Sequence, residues 1–142
     1  MFISEIMTKE VVTISPDVLL KDAAEVFRDK RISGIPVVND DGRVVGIITL
    51  TDMLKALNRI YTLKELQDRV GALDFSKMRA DERLKAKVRD IMTKEVYTMG
   101  QHETVDNLMR IMFTKNIHTI PVLDQGRIIG IVGKRDLIHA CF

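Results

Sequence analysis

The opening stretch of this chain occurs twice, and this internal repeat constrains the fold more than any other feature. Residues 6–11 read IMTKEV, and residues 91–96 repeat the same six letters. With residue 6 placed over residue 91, the two blocks stay in register until Asp41, which has no counterpart and falls in a turn. Each block then closes on a glycine, apolar residues and an aspartate, at 46–52 and 130–136. A duplicated unit of about fifty residues predicts two similar substructures related by pseudo-twofold symmetry.

The hydrophobic pattern within each block predicts the element order strand, helix, strand, strand, helix. Residues 11–14 and their counterparts 96–99 favour a short strand, and Ser15-Pro16-Asp17 is typical of a helix start with serine as the N-cap. Residues 35–38 and 44–49 flank a turn cluster and predict a hairpin. Apolar helix faces are expected at Leu20, Ala23, Ala24 and Phe27, at Val105, Leu108, Met109 and Met112, and at Met53, Leu54 and Leu57 after a helix start near Asp52.

The two blocks are small, so we expect them to share one core. A single unit of about fifty residues is marginal alone, whereas two units packed sheet against sheet bury a common interior. The predicted fold class is α+β, with two pseudo-symmetric βαββα units. We place the first motif at residues 1–57, a helical linker at 58–90 and the second motif at 91–142. The symmetry predicts two equivalent clefts between the units.

The linker is rich in charge of both signs. A capping box at 62–65 and a Lys- and Arg-rich stretch at 80–88 predict two short helices, with Gly71 between them. This pattern favours a solvated connector, and a segment that docks a partner or an anionic ligand is the alternative. The interspersed acids argue against a nucleic-acid stripe.

The composition limits the classes of function. The chain has 142 residues, 46% of them hydrophobic and 5% aromatic, and its eight methionines predict an aliphatic core with methionine filling the gaps. A net charge of +2 is too small to indicate nucleic-acid binding. Cys141 has no partner for an internal disulfide, and no apolar run is long enough to span a membrane, so we expect a cytoplasmic protein without membrane contact.

The block endings are the best candidates for binding chemistry. A strand that runs directly into a helix leaves free backbone N–H groups at the positive end of the helix dipole, where an anion is favoured. In the first ending, Thr49 and Asp52 fit a plain helix capping box as well as a ligand site.

The second ending keeps the aspartate and changes the residues before it. Gly133 replaces the threonine, and Lys134 and Arg135 stand before Asp136. Two cations oppose the helix dipole but suit a phosphate, so this ending is expected to favour a phosphorylated ligand. The first ending is expected to prefer a less charged ligand, to borrow a cation from elsewhere, or to stay empty.

Taken together, these motifs resemble the tandem cystathionine β-synthase (CBS) domain pair. The resemblance is carried by the Met-Thr opening, the Ile-Pro-Val strand and the closing Gly-hydrophobic-hydrophobic-Thr-x-x-Asp, in two copies in the same order. It implies a stand-alone regulatory module that binds an adenosine-containing ligand, pairs as a homodimer and signals to an enzyme or transporter partner. AMP is the leading ligand, with ADP, ATP and S-adenosylmethionine as alternatives. A structural dimerisation module without nucleotide is the competing function.

The resemblance also implies which residues line the ligand site. Asp52 would hold the ribose with help from Thr49, and His118 could stack on a base. The implied ligand-binding residues are Thr13, Ser33, Gly34, Ile35, Pro36, Thr49 and Asp52 in the first block, and Thr98, His118, Thr119, Ile120, Pro121, Lys134, Arg135 and Asp136 in the second.

Catalysis has little support in the sequence. The three histidines show no paired metal-ligand spacing, and neither a nucleophile-elbow motif nor a Gly-x-x-x-x-Gly-Lys loop is present. We therefore expect a protein that is not an enzyme and that carries no metal and no catalytic cofactor.

Overall fold

The computed structural model describes residues 1–60 and 85–142, in two related sets of elements. The first set is α1 (Ile3–Ile6), α2 (Leu20–Lys30), β1 (Gly34–Val38), β2 (Val44–Thr49) and α3 (Leu50–Ile60). The second set is α4 (Val88–Ile91), β3 (Met99–Gly100), α5 (Val105–Lys115), β4 (Thr119–Asp124), β5 (Arg127–Gly133) and α6 (Lys134–Cys141).

Each set forms its own sheet around an antiparallel hairpin. Strand β1 pairs with β2, and β4 pairs with β5, in equivalent registers that shift once near the turn. Both turns end on a glycine in the left-handed region, Gly42 at φ 80° and Gly126 at φ 79°, where a side chain would be strained. The predicted hairpins and the α+β fold class with two related units are therefore confirmed.

The short strand predicted at the start of each block is smaller than expected. In the first copy only Ile14 pairs, in a parallel bridge to Val37, so the strand predicted at 11–14 is wrong. Val12 lies on the wall of an open cleft and Thr13 is exposed, so the chain enters the sheet only at Ile14. In the second copy the strand is β3, which pairs in parallel with β4.

The first long helix begins later than the sequence predicts. Its N-cap is Leu19 and not Ser15, whose hydroxyl instead accepts a hydrogen bond of 3.2 Å from the N–H of Asp17 and closes a turn. The intervening backbone is held in an extended form, because the N–H of Leu20 donates to Ala86 and the carbonyl of Val18 accepts from Val88. A long-range backbone pairing thus outweighs the local helix signal.

The opening segment of each block packs into the core of the other block. Ile3 of α1 is fully buried among Met99, Leu108 and Ile120, whereas Val88 of α4 is fully buried among the side chains of the first block. The two cores define unit one, built from residues 12–60 and 85–93, and unit two, built from residues 1–8 and 99–142. The blocks 1–57 and 91–142 remain a division of the sequence, and each core combines parts of both.

The same backbone ladder fastens both exchanged segments. Thr8 and Ile131 exchange two backbone hydrogen bonds of 2.8 and 2.9 Å, and Thr93 and Ile47 exchange an equivalent pair of 2.8 and 2.9 Å. The Met-Thr opening of each repeat therefore serves as a short edge segment on the sheet of the other repeat.

The linker predictions fall mostly outside the described residues. This applies to the capping box at 62–65, to Gly71 and to most of the helix predicted at 80–88. The described end of that helix is wrong, since Lys87 makes a β-bridge to Leu19 and a new helix begins at Val88. Within the described ranges, every helix is too short or too polar to cross a membrane.

All three helix faces predicted to be apolar are partly outward-facing. In α3, Ala56 is buried, whereas Leu54 is 67% exposed and Leu57 is 39% exposed. Ala24 and Met109 are likewise exposed, although the residues around them in each pattern are buried. These helices therefore carry more apolar surface than the two cores cover.

Candidate functional site

A cleft of about 990 Å³ opens between the two units. A volume of this size lies at the upper end of the range for small-molecule sites, roughly 300–1,000 Å³. Unit one contributes the end of α2, the entrance to β1 and the apolar side of α3. Unit two contributes the Thr8 segment, the entrance to β4 and the junction of β5 with α6. The residues that line it are Thr8, Glu10, Val12, Ala24, Phe27, Arg28, Arg31, Ile32, Ser33, Gly34, Leu50, Met53, Leu57, His118, Thr119, Ile131, Gly133, Lys134, Arg135 and Asp136.

Asp136 is held rigidly at the start of α6. Its Oδ2 accepts a hydrogen bond of 2.8 Å from the N–H of Gly133, and its Oδ1 accepts one of 2.7 Å from the hydroxyl of Thr8. Each carboxylate oxygen has two lone pairs, so each can still accept one hydrogen bond from a ligand hydroxyl. The carboxylate is thus pre-positioned at a half-buried edge of the cleft.

Four cationic side chains line the same cleft. Lys134 and Arg135 lie at the start of α6, as the sequence predicted, and Arg28 and Arg31 lie at the end of α2. Sequence reasoning missed both arginines, because they belong to the first repeat and face the ending of the second. The available signal was that Arg31 lies two positions before Ser33, which the sequence predicted to line the site.

Most of this positive charge has no acidic partner. In the described part of the chain, Arg31, Lys134 and Arg135 make no ion pair, and Arg28 pairs only with the adjacent, exposed Asp29 at 3.3 Å. The cleft is therefore suited to an anion.

His118 brings an unsatisfied polar atom to the cleft wall. Its Nδ1 is buried and has no hydrogen-bond partner among the residues that the structure describes. A buried polar atom without a partner is costly, and such atoms are usually explained by a ligand or a water molecule. His118 lines the cleft, but its Nδ1 has no accessible surface, so the imidazole must turn before this nitrogen can contact a ligand.

The two strand entrances meet at Gly34 and Thr119. A Cβ on Gly34 would lie 2.8 Å from Oγ1 of Thr119, so only a glycine allows this approach. The contact brings Ser33 and His118, which precede these residues, to the same cleft.

The first block ending forms the capping box that the sequence left open as an alternative. The N–H of Thr49 donates to Oδ2 of Asp52 at 2.9 Å, and the N–H of Asp52 donates to the Thr49 hydroxyl at 3.1 Å. The hydroxyl of Thr93 donates to Oδ1 of Asp52 at 3.1 Å, as Thr8 does to Asp136. A smaller cavity of about 220 Å³ lies beside Asp52 and is lined by Lys55 and Arg59.

The structure brings together about half of the residues predicted for the site. Ser33, Gly34, His118, Thr119, Lys134, Arg135 and Asp136 all line the large cleft, and Asp52 lines the smaller cavity.

The other predicted site residues lie elsewhere. The side chains of Ile35, Pro36, Ile120 and Pro121 do not line either cavity, because they are fully buried in the strands that fill the two cores. Thr13 and Thr98 are exposed outside both cavities, and Thr49 is engaged with Asp52. The described residues contain no group of three or more His, Cys, Asp or Glu side chains that could hold a metal ion.

Comparisons with known proteins identify the family. The model of the CBS domain matches residues 3–59 and 88–142. Protein MJ1426 of Methanocaldococcus jannaschii is 38% identical over 154 residues, covering 99% of this chain and 90% of that protein. A homoserine O-acetyltransferase of Methanosalsum zhilinae is 33% identical over 136 residues, and that match spans 95% of this chain but only 23% of that protein.

A solved structure supports the same assignment. The CBS domain pair of protein MJ0100, in complex with 5′-methylthioadenosine and S-adenosyl-L-methionine, has a TM-score of 0.78 and 27% sequence identity. The match covers 99% of this chain and 94% of that chain. The chain therefore belongs to the CBS domain family and is built as a CBS domain pair.

Proposed function

We propose that this chain is a regulatory module that binds an adenine nucleotide in the cleft between its two units and signals the bound state to a partner. The observation that carries the proposal is the placement of the fixed carboxylate of Asp136 beside four cations in one cleft of about 990 Å³. A carboxylate accepts hydrogen bonds from ribose hydroxyls, and cations bind phosphate. These are the two polar interactions that a nucleotide offers besides its base.

AMP is the ligand that we put first, with ADP and ATP in the same class. The cations of the cleft favour a phosphate, and the related domain pair of MJ0100 binds two ligands that contain adenosine. That second fact also makes S-adenosylmethionine the alternative ligand. Apolar side chains such as Met53 and Leu57 on the wall of the cleft can cover the face of an adenine ring.

The proposed role is regulation and not catalysis. Ligand in the cleft contacts both units, so it can favour one relative packing of the units over another in proportion to its affinity for each. A partner, such as an enzyme or a transporter, would respond to that packing. We place this activity in the cytoplasm, which fits the free, exposed thiol of Cys141.

A homodimer is part of the proposal. Leu54 of α3 is exposed and lies outside the cleft, as do the exposed Ile138 of α6 and Phe142 beyond its end. Exposed apolar side chains favour association with another protein surface, and a second copy offers the same side chains in return.

Thermal unfolding in the presence of AMP, ADP, ATP and S-adenosylmethionine tests the proposal. A ligand that binds only the folded chain, at 100 times its dissociation constant, should add about 2.7 kcal/mol to the free energy of unfolding. Isothermal titration then gives the affinity of each ligand that shifts the transition. If none of the four ligands changes the unfolding temperature, the chain is better described as a structural dimerisation module.

A further inference from the structure

We infer that Arg28 and Arg31 are specificity-determining residues that bind the phosphate of the ligand from unit one, opposite Lys134 and Arg135 of unit two. The cleft then selects phosphorylated adenosine compounds over uncharged 5′-methylthioadenosine and over the cationic sulfonium of S-adenosylmethionine. This inference rests on the proposed function, because it concerns the ligand of the same cleft.

The first argument is the origin of the four cations. Arg28 and Arg31 come from the end of α2, and Lys134 and Arg135 come from the start of α6, so the two pairs belong to different units. Guanidinium groups present several N–H donors in a planar fork that matches phosphate oxygens. An anionic group in the cleft would therefore be bound from both units.

The second argument is the charge balance of the cleft. Four cationic side chains face two acidic ones, Glu10 and Asp136, so the lining carries a net charge equal to the +2 of the whole chain. Asp136 is also committed to Thr8 and Gly133. Like charges disfavour a cationic ligand in such a site, whereas a phosphate relieves the repulsion among the cations.

The third argument comes from the internal repeat. At the positions equivalent to Arg28 and Arg31, the second repeat carries Phe113 and Asn116. At the positions equivalent to Lys134 and Arg135, the first repeat carries Leu50 and Thr51. The fold alone therefore requires none of these four cations, and all of them are gathered on one of two symmetry-related sides.

A structural explanation for the arginines is available and can be tested. Cations near the end of a helix are favoured by its dipole, and both Arg28 and Lys30 lie in the last turn of α2. Lys30 is exposed and does not line the cleft, so it shares the helix position of Arg28 without its access to a ligand. Lys30→Gln is therefore a matched control.

The experiment measures affinities for AMP, 5′-methylthioadenosine and S-adenosylmethionine by isothermal titration. The parent protein should bind AMP at least about tenfold more tightly than 5′-methylthioadenosine, and the double variant R28Q/R31Q should lose about tenfold or more of its AMP affinity, as expected for charge-assisted hydrogen bonds. The affinity of the double variant for 5′-methylthioadenosine should stay close to that of the parent. Lys30→Gln should leave all three affinities unchanged, and thermal unfolding of each variant checks that it is folded.

Three results separate the inference from the proposed function. If 5′-methylthioadenosine binds as tightly as AMP, or if R28Q/R31Q keeps the preference for AMP, the inference is wrong and the adenosine site stands. If Lys30→Gln weakens AMP binding as much as the double variant, the effect belongs to helix electrostatics and the inference is wrong. If none of the three compounds binds and ADP and ATP also fail to bind, the inference and the proposed function fall together.

Discussion

The hydroxyl of Thr8 donates a hydrogen bond of 2.7 Å to Oδ1 of Asp136, a residue 128 positions further along the chain. The equivalent bond joins Thr93 to Asp52 at 3.1 Å. Each Met-Thr opening thus stabilises the carboxylate that closes the other repeat. The motif at the start of each block and the aspartate at the end of the other block are therefore parts of one contact.

Thr8→Val should lower the free energy of unfolding by about 1 kcal/mol, the usual contribution of one hydrogen bond. Valine keeps the shape of the side chain and removes only the hydroxyl. Urea unfolding measures the effect, and Thr93→Val is the matched variant on the other side. An unchanged stability in Thr8→Val would mean that the Thr8 hydroxyl contributes nothing to the junction.

Asp136→Ala should weaken AMP binding by at least about tenfold, because it removes a charged acceptor for the ribose. Asp52→Ala should leave AMP affinity close to that of the parent, since Asp52 lies outside the large cleft. Both variants lose a capping hydrogen bond and a hydrogen bond from a threonine hydroxyl. Each is therefore a control for the effect of the other variant on the stability of the fold. Titration calorimetry decides the ranking, and a larger loss in Asp52→Ala would reverse our assignment of the site.

His118→Leu should weaken AMP binding without destabilising the protein. Removing the buried, unpaired Nδ1 leaves the free energy of unfolding of the ligand-free protein unchanged or higher, because a desolvated polar atom is lost. Affinity for AMP should fall by about fivefold to tenfold, the loss expected if the imidazole turns on binding and Nδ1 forms a hydrogen bond with the ligand. His139→Leu, at an exposed histidine outside the cleft, is the control. A variant that binds AMP as the parent does would exclude a ligand contact for His118.

Gly46→Ala should destabilise unit one by about 1–3 kcal/mol, the usual cost of an overpacked site. An added Cβ would lie 2.6 Å from Sδ of Met92 and 3.0 Å from the carbonyl oxygen of Thr93. Met92→Ala removes the first clash and leaves the second. In the Met92→Ala background, Gly46→Ala should therefore cost less stability than in the parent protein, but the cost should not disappear. Gly100→Ala, whose Cβ would have an ordinary 3.7 Å contact with Glu103, should cost less.

The chain should bind one nucleotide per protomer and not two. The positions equivalent to Ala24 and Arg28, which line the large cleft, are occupied by Met109 and Phe113 in the second repeat. Larger apolar side chains there reduce the space, and the cavity beside Asp52, although lined by Lys55 and Arg59, has a volume of only about 220 Å³. Calorimetric stoichiometry near one supports this asymmetry, and two sites of similar affinity would contradict it.

Local sequence signals predicted much of the fold. The hairpins follow from apolar strands around glycine turns, and the pseudo-symmetry of the two units follows from the repeat alone. The helix start at Ser15 was wrong because residues 18–20 pair with 86–88, and this contact spans the linker. Helix propensity reflects only residues that are neighbours in sequence. A long-range pairing can therefore override it, and the local sequence gives no sign of this.

The candidate site was predictable to a smaller extent. Lys134 and Arg135 were found because they differ from Leu50 and Thr51 in the first ending. Asp136 was found because it repeats Asp52. Arg28 and Arg31 were missed because nothing in the sequence says that the end of α2 faces the ending of the other repeat. Ile35 and Ile120 were included because they adjoin the entrance to each strand, whereas side chains in a strand alternate between faces and these two point into the cores.

The exchange of Met-Thr segments makes unit one an insertion within unit two. Residues 12–93 run continuously through the parts of unit one, so this half can complete its core during synthesis before the rest of the chain exists. Unit two must wait, because Ile3 packs against partners from Met99 onward. Closing such a long loop is entropically slow, which makes it the natural late step of folding. A gene divided between the two repeats would yield fragments that each carry the opening segment of the other.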